Sequence, residues 1–404
     1  MLPRLLYLGD VPVEASYHGR AFLYRLLERY PADRLHIVEA GLVASEASRR
    51  LMDVRYDDRR PPFLRLARTR FAALYWSLFL LLARARARSL MSAVREFKPD
   101  AILSVGQGLS CVTAAALAAR SRVPLHLICH DPWSIHTAVC GTACGERIFG
   151  DVYRAAASRL CISPYMAEAF EKRYHARGSV LYPLRASDTA VFEQPPERLG
   201  RTTTQFTCAF AGTVNNRGYA AALKQLAECL IPFGGRLLIF GAINMADAES
   251  LGLTGPNIEI GEAPSSRALI AMLRERADVL FVPMSFAQQD RTDMEISFPS
   301  KLSDYTAAAL PLLIYGPEYC SAVRWAKANA PVAEVVTIEG GEGLSQALKK
   351  LASDPGQRMQ LAQAAAATGN RYFSYEAAFG TFTAALGAEA GCKHDIRRPE
   401  LATV

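Results

Sequence analysis

Short apolar runs, each stopped by glycine, proline or an acid and followed by a stretch of helical spacing, recur along the chain. Leu5-Leu6-Tyr7-Leu8, closed by Gly9-Asp10, reads as a buried strand, and residues 21–30 after it carry apolar positions at helical intervals. Leu35-His36-Ile37-Val38 is a second strand. Residues 99–131 form the clearest unit: Pro99-Asp100, the strand 101–105, the turn Gly106-Gln107-Gly108, a helix to Arg120, then Pro124 and the strand 125–129. Strand, turn, helix and strand in that order make a parallel crossover. Residues 159–163 and 179–183 add two short strands.

The pattern breaks at 186–206, which is polar and contains Pro195-Pro196, and then restarts. Strands are predicted at 206–211, 236–240, 257–260, 279–283 and 312–315, with helices at 219–230, 266–276, 301–309, 343–353 and 355–368. Two successive strand–helix series mean an α/β protein with two Rossmann-like domains built on largely parallel sheets. The expected limits are 1–188 and 205–375, a helix at 376–391 returning to the first domain, and a loose tail at 392–404.

Composition agrees with that division. A length of 404 residues suits two domains, and 50% hydrophobic with 21% charged residues excludes disordered and fibrous chains. No apolar run reaches the ~18–20 residues that span a bilayer, and the first residues lack the features of a secretion signal, so a cytoplasmic protein is expected. Nine cysteines, an odd number, read as free thiols. His136-x3-Cys140-x3-Cys144 lacks a fourth ligand and reads as packing, so no metal is expected.

The net charge of +7 is local. Between Arg55 and Arg88 nine arginines face two aspartates, a surplus equal to that of the whole chain. The balanced remainder argues against a nucleic-acid partner. Within this region Phe71 to Ala83 is an apolar stretch of 13 residues flanked by arginines. It is too short to span a bilayer. It suits a helix lying in an anionic headgroup layer, which makes 55–90 a candidate for peripheral contact with the inner face of a membrane; the alternative is a buried helix with basic ends.

Three patterns bear on chemistry. Gly106-Gln107-Gly108-x-x-Cys111, with Asp131 at the end of the next strand, is similar to a dinucleotide-binding turn. Phosphate-loop and Asp-x-Asp motifs are both absent from the sequence, so a nucleoside diphosphate would have to be neutralised by positive side chains and helix N-termini. Gly212-Thr213-Val214-Asn215-Asn216-Arg217-Gly218 offers such groups between a strand and a helix. The most specific stretch is Glu295-Ile296-Ser297-Phe298-Pro299-Ser300-Lys301-Leu302-Ser303-Asp304-Tyr305. Only eight of 46 basic residues are lysines, and Lys301 falls in the first turn of a helix, where a cation is disfavoured unless an anion binds there.

At these residues the chain resembles the GT-B fold glycosyltransferases, especially the retaining family-4 type. The resemblance rests on Phe298-Pro299-Ser300-Lys301-Leu302-x-Asp304-Tyr305, on Asp278 to Pro283 before it, and on the strand leading to His130-Asp131. It implies two domains facing each other across a cleft, and transfer of a sugar from a nucleotide diphosphate to an acceptor hydroxyl, in glycan, glycolipid or polysaccharide biosynthesis. No separate cofactor is implied, because the nucleotide sugar is the donor substrate; the partner is a sugar or lipid-linked acceptor. His130 matches the family's histidine near the donor sugar. Gly212, Arg217, Ser300 and Lys301 fall at the diphosphate. Asp304 matches the acid that reaches the ribose, and Glu295 the acid at the sugar, with eight residues between them instead of the family's seven. The alternatives are a sugar-nucleotide epimerase of the same fold, a dinucleotide-binding oxidoreductase, and a partner-binding homologue without catalysis.

Overall fold

The computed structural model describes residues 1–387 apart from 16–20, 63–64, 66–68, 133–141, 203–204, 215–216, 242 and 263–265. His136 and Cys140, the Asn215-Asn216 part of the glycine-flanked turn, the last residues of the helix expected to 391 and the tail at 392–404 lie outside the described residues.

Parallel strands covered by helices on both faces must be apolar throughout, and the runs picked out by pattern are such strands. The first sheet contains β1 (Leu5–Gly9), β2 (Leu35–Glu39), β3 (Arg55–Asp58), β4 (Ala101–Val105), β5 (Leu125–Cys129), β6 (Ser158–Cys161) and β7 (Ser179–Val180). Their spatial order is β3-β2-β1-β4-β5-β6-β7, and every pairing is parallel. The second sheet contains β8 (Thr207–Ala211), β9 (Arg236–Phe240), β10 (Ile258–Gly261), β11 (Val279–Pro283), β12 (Leu312–Tyr315) and β13 (Glu334–Val336). Its order is β10-β9-β8-β11-β12-β13, again all parallel. Each sheet reverses direction of growth beside its first strand, between β1 and β4 and between β8 and β11. Loops leaving those strand ends diverge, which opens a crevice at the carboxyl edge of each sheet.

Among the elements that differ from the pattern, β13 and the helices Pro164–Tyr174, Arg291–Ile296 and Ser321–Ala328 are not predicted by it. β3 is a strand of sequence Arg-Tyr-Asp-Asp at the sheet edge, paired only to β2, so its charges reach solvent. The helix from Lys301 ends at Ala307, short of the expected 309. Ala309 takes a left-handed φ of 48°, and Pro311 then starts the chain into β12.

The chain crosses between the domains twice. The first crossing runs through Leu184-Arg185. Arg185 is buried, with Nε donating to Ser303 O at 3.0 Å and Nη2 to Thr306 Oγ1 at 3.0 Å. Beside it Tyr182, Phe298, Trp325 and Phe373 pack edge to face or tilted at 5.4–6.0 Å between ring centres. The second crossing leads into the helix Tyr375–Gly387, which lies on the first domain, where Phe382 meets Tyr30 and Tyr375 lies under Arg29.

The arginine-flanked stretch forms the helix Ala72–Leu81, continued by Ala83–Ser89 and Met91–Phe97. Of the first helix only Phe79 is buried. Leu74 and Leu81 are 69% and 70% exposed, and Phe71, Leu78 and Leu82 are exposed with them. Spaced three and four residues apart, they form one outward apolar stripe. No helix among the described residues is long and apolar enough to cross a membrane.

Candidate functional site

The two sheet crevices have opposite contents. In the first domain Asp10, just past β1, turns its carboxylate onto the helix Ser110–Ser121, accepting from Ser110 N at 2.7 Å and Ser110 Oγ at 3.0 Å. Gly108 has a φ of 119°, and a Cβ there would stand 2.3 Å from Asp10 Oδ2. The place where a pyrophosphate would rest on a dinucleotide turn is therefore filled by the protein's own anion, and the oxidoreductase reading loses its site. Burial pushes the Asp10 carboxyl up to about 6 against the pull of those Ser110 hydrogen bonds.

In the second domain the crevice is lined by a cation. Gly212, with a φ of 147°, follows β8, and its N–H donates to Phe240 O. A Cβ on Gly241 would stand 2.1 Å from Gly212 O, so the two loop backbones touch and only glycine fits there. Lys301 reaches this turn from the far side. Its Nζ lies 4.0 Å above the Phe210 ring and 5.3 Å from the Tyr219 ring centre, and both Nζ and Cε are 3.5 Å from where a Gly212 Cβ would be. The ammonium thus sits between the glycine turn and the first turn of the helix Arg217–Leu230. No carboxylate among the described residues pairs with it, and burial pushes it down to about 7. Tyr305 fixes the spacing, because its hydroxyl accepts from Ala211 N at 2.6 Å and donates to Ala211 O at 3.1 Å.

The other expected residues are placed unevenly. Arg217 opens its helix with an exposed side chain, and Ser300 is exposed one residue before Lys301. Glu295 is exposed on the helix Arg291–Ile296, whose buried residues are Met294 and Ile296. Asp304 is already engaged by the first domain: Arg25 Nη1 and Nη2 reach its two oxygens at 3.0 and 3.1 Å. His130, one residue past β5, is half-buried with its ring edge-on to Phe22 at 4.4 Å. Its buried Nε2 has no partner among the described residues, and burial pushes the imidazole down to about 4, so it is neutral at pH 7.

Sequence reasoning missed a contact between the domains. Asp131 takes a hydrogen bond from Ser297 and lies near Asp293; burial first, then the Asp293 charge, raises its pKa. Asp293 is itself raised by burial and by Asp290. The only signal was the position of Asp131 at a strand end. Among the described residues no group of three or more His, Cys, Asp or Glu is placed to hold a metal ion.

Two Rossmann-like domains with carboxyl edges turned to one cleft make this the GT-B fold. No family model matches the chain, and no curated protein matches it. Solved structures do. HepE from Anabaena, solved with UDP and glucose, is 13% identical with a TM-score of 0.66, covering 96% of this chain and 100% of its own. The lipopolysaccharide outer core galactosyltransferase WaaB is 14% identical with a TM-score of 0.62, covering 95% of this chain and 99% of its own. The α,α-trehalose 6-phosphate synthase from Burkholderia multivorans is 13% identical with a TM-score of 0.66, covering 96% and 99%.

Proposed function

We propose that this chain is a glycosyltransferase that moves a sugar from a nucleoside diphosphate to an acceptor hydroxyl. The observation that carries the reading is Lys301: a desolvated ammonium without a carboxylate partner among the described residues, set between a glycine turn and a helix N-terminus at the mouth of the second sheet. That arrangement suits a diphosphate, whose charge would replace the water the lysine has lost. Gly212 and the amides opening the helix Arg217–Leu230 would add hydrogen bonds, with Arg217 and Ser300 at the rim. As the sugar–phosphate bond breaks, negative charge grows on the departing oxygen beside these donors, which stabilise it more in the transition state than in the ground state.

The sugar would then lie toward the first domain. His130 is a neutral hydrogen-bonding group there, and Asp131 and Asp293 are carboxyls suited to sugar hydroxyls. UDP is the first donor nucleotide to try, since HepE was solved with it. A retaining outcome follows from the family-4 resemblance, and glycan or glycolipid assembly is the proposed setting. The stripe from Phe71 to Leu82, bordered by exposed Arg70, Arg84 and Arg88, would rest on an anionic bilayer and bring a lipid-linked acceptor to the cleft. Screening UDP-, GDP- and ADP-sugars for nucleoside diphosphate release tests the reading: release above the spontaneous rate with one donor supports it, and none with any donor sinks it.

A further inference from the structure

Four anchors hold the short helix Lys301–Ala307, and one of them comes from the other domain. Tyr305 ties it to the end of β8, and Arg185 ties its Ser303 and Thr306 to the interdomain crossing. The fourth anchor is Asp304. Both carboxylate oxygens are taken by Arg25 of the first-domain helix Ala21–Leu27, at 3.0 and 3.1 Å, and Arg25 Nη1 also donates to Leu184 O at 3.0 Å. The two side chains are only 12% and 18% exposed. A bidentate, largely buried fork of this kind is among the more directional ion pairs a protein makes. Arg185 adds a second positive charge near the same carboxylate.

The pair joins two pieces of the candidate site. One turn before Arg25, the same helix carries Phe22, whose ring meets the His130 imidazole edge-on at 4.4 Å. One turn before Asp304 stands Lys301. A tug on either helix is therefore passed to the histidine of one domain and the lysine of the other. We propose that Arg25 is a positioning residue: by clasping Asp304 across the cleft it sets the domain orientation in which the His130 side and the Lys301 side act on one donor. Asp304 then serves as the clasp's acceptor and not as a ribose ligand. The proposal rests on the glycosyltransferase reading for its kinetic consequences, but the clasp itself can be observed without them.

Arg25→Gln, Asp304→Asn and the double variant separate the roles. For the clasp, each single change should lower kcat for donor turnover by roughly 10-fold or more, the scale of a site misaligned by a fraction of an ångström. UDP and uridine affinities should stay within about twofold, because neither side chain touches the nucleotide. The double variant should be no worse than the singles, since two halves of one contact are not additive. Arg25→Lys, which keeps the charge but loses the fork, should recover part of kcat. Small-angle scattering should show the same widening of the molecule in both single variants. If Asp304→Asn weakens uridine binding tenfold while Arg25→Gln leaves kcat and scattering unchanged, Asp304 is a ribose ligand and the clasp is overturned. Should the wild type neither bind UDP nor turn over any donor, the functional reading fails. Scattering then decides the clasp alone: equal widening upholds it, and unchanged profiles in both variants overturn it.

Discussion

A half-buried lysine without a carboxylate partner among the described residues holds its charge weakly, and Lys301 is such a residue. A diphosphate arriving beside it favours the charged form, so above pH 7 binding must draw in a proton. At pH 8.2, UDP binding should take up most of one proton, measured by calorimetry in buffers of different ionisation enthalpy; Lys301→Ala should take up none. The same substitution should weaken UDP by about 1.5–3 kcal/mol, the range for hydrogen bonds to charged groups, and leave uridine little changed. Equal binding of both ligands by mutant and wild type would place the phosphates elsewhere. Stability follows the same logic. The folded pKa of about 7 lies below the unfolded value of 10.5, so the unfolded chain binds more protons between those limits. Free-protein stability should therefore rise with pH across that window and fall as pH drops through 7, and the Ala variant should lose this dependence, as seen in urea midpoints. Lys301 could be found by reading because it is a scarce residue type at a marked place, after Pro-Ser and before an apolar helix. The pairing of Arg25 with Asp304, or of Asp131 with Asp293, could not, because each pair meets only when two separately folded sheets come together.

Elements buried on both faces announce themselves, and those at an edge do not. Central strands such as β1, β4 and β11 read as apolar runs, whereas β3 is Arg-Tyr-Asp-Asp and β13 Glu-Val-Val, edge strands by pairing alone. The helix Arg291–Ile296 has no apolar stripe to read, only Met294 and Ile296 turned inward. The helix Ala72–Leu81 is the reverse case: apolarity was plain, but which face is covered was not. With its stripe outward, the purified protein should sediment with vesicles containing phosphatidylserine and release as salt rises. Leu74→Asp with Leu81→Asp should abolish that binding and shift Tm by no more than a degree or two, because both side chains are already exposed. Equal, negligible binding to anionic and neutral vesicles would show that the stripe has another use.

At the scale of the whole molecule the proposed chemistry would draw its positive charge from the chain itself. On that proposal Lys301 and the amides around Gly212 would take the place of a metal–diphosphate handle, and the sequence has no Asp-x-Asp pair. Donor turnover should survive EDTA with less than about a twofold loss in rate, equivalent to under ~0.4 kcal/mol of barrier. Complete loss restored only by Mg²⁺ or Mn²⁺ would overturn that assignment.

If the chain transfers a sugar as proposed, Asp10 bears on the direction of the reaction. Two near-copies of one strand order give the cleft two facing anion seats, and a nucleotide could in principle settle head-first into either. One seat is stoppered from birth by a carboxylate belonging to the chain, held on the helix that would otherwise greet a phosphate. On the glycosyltransferase reading the stopper would make a nearly symmetrical cleft polar: the leaving group would have a single berth, and the side opposite would be kept for whatever receives the sugar.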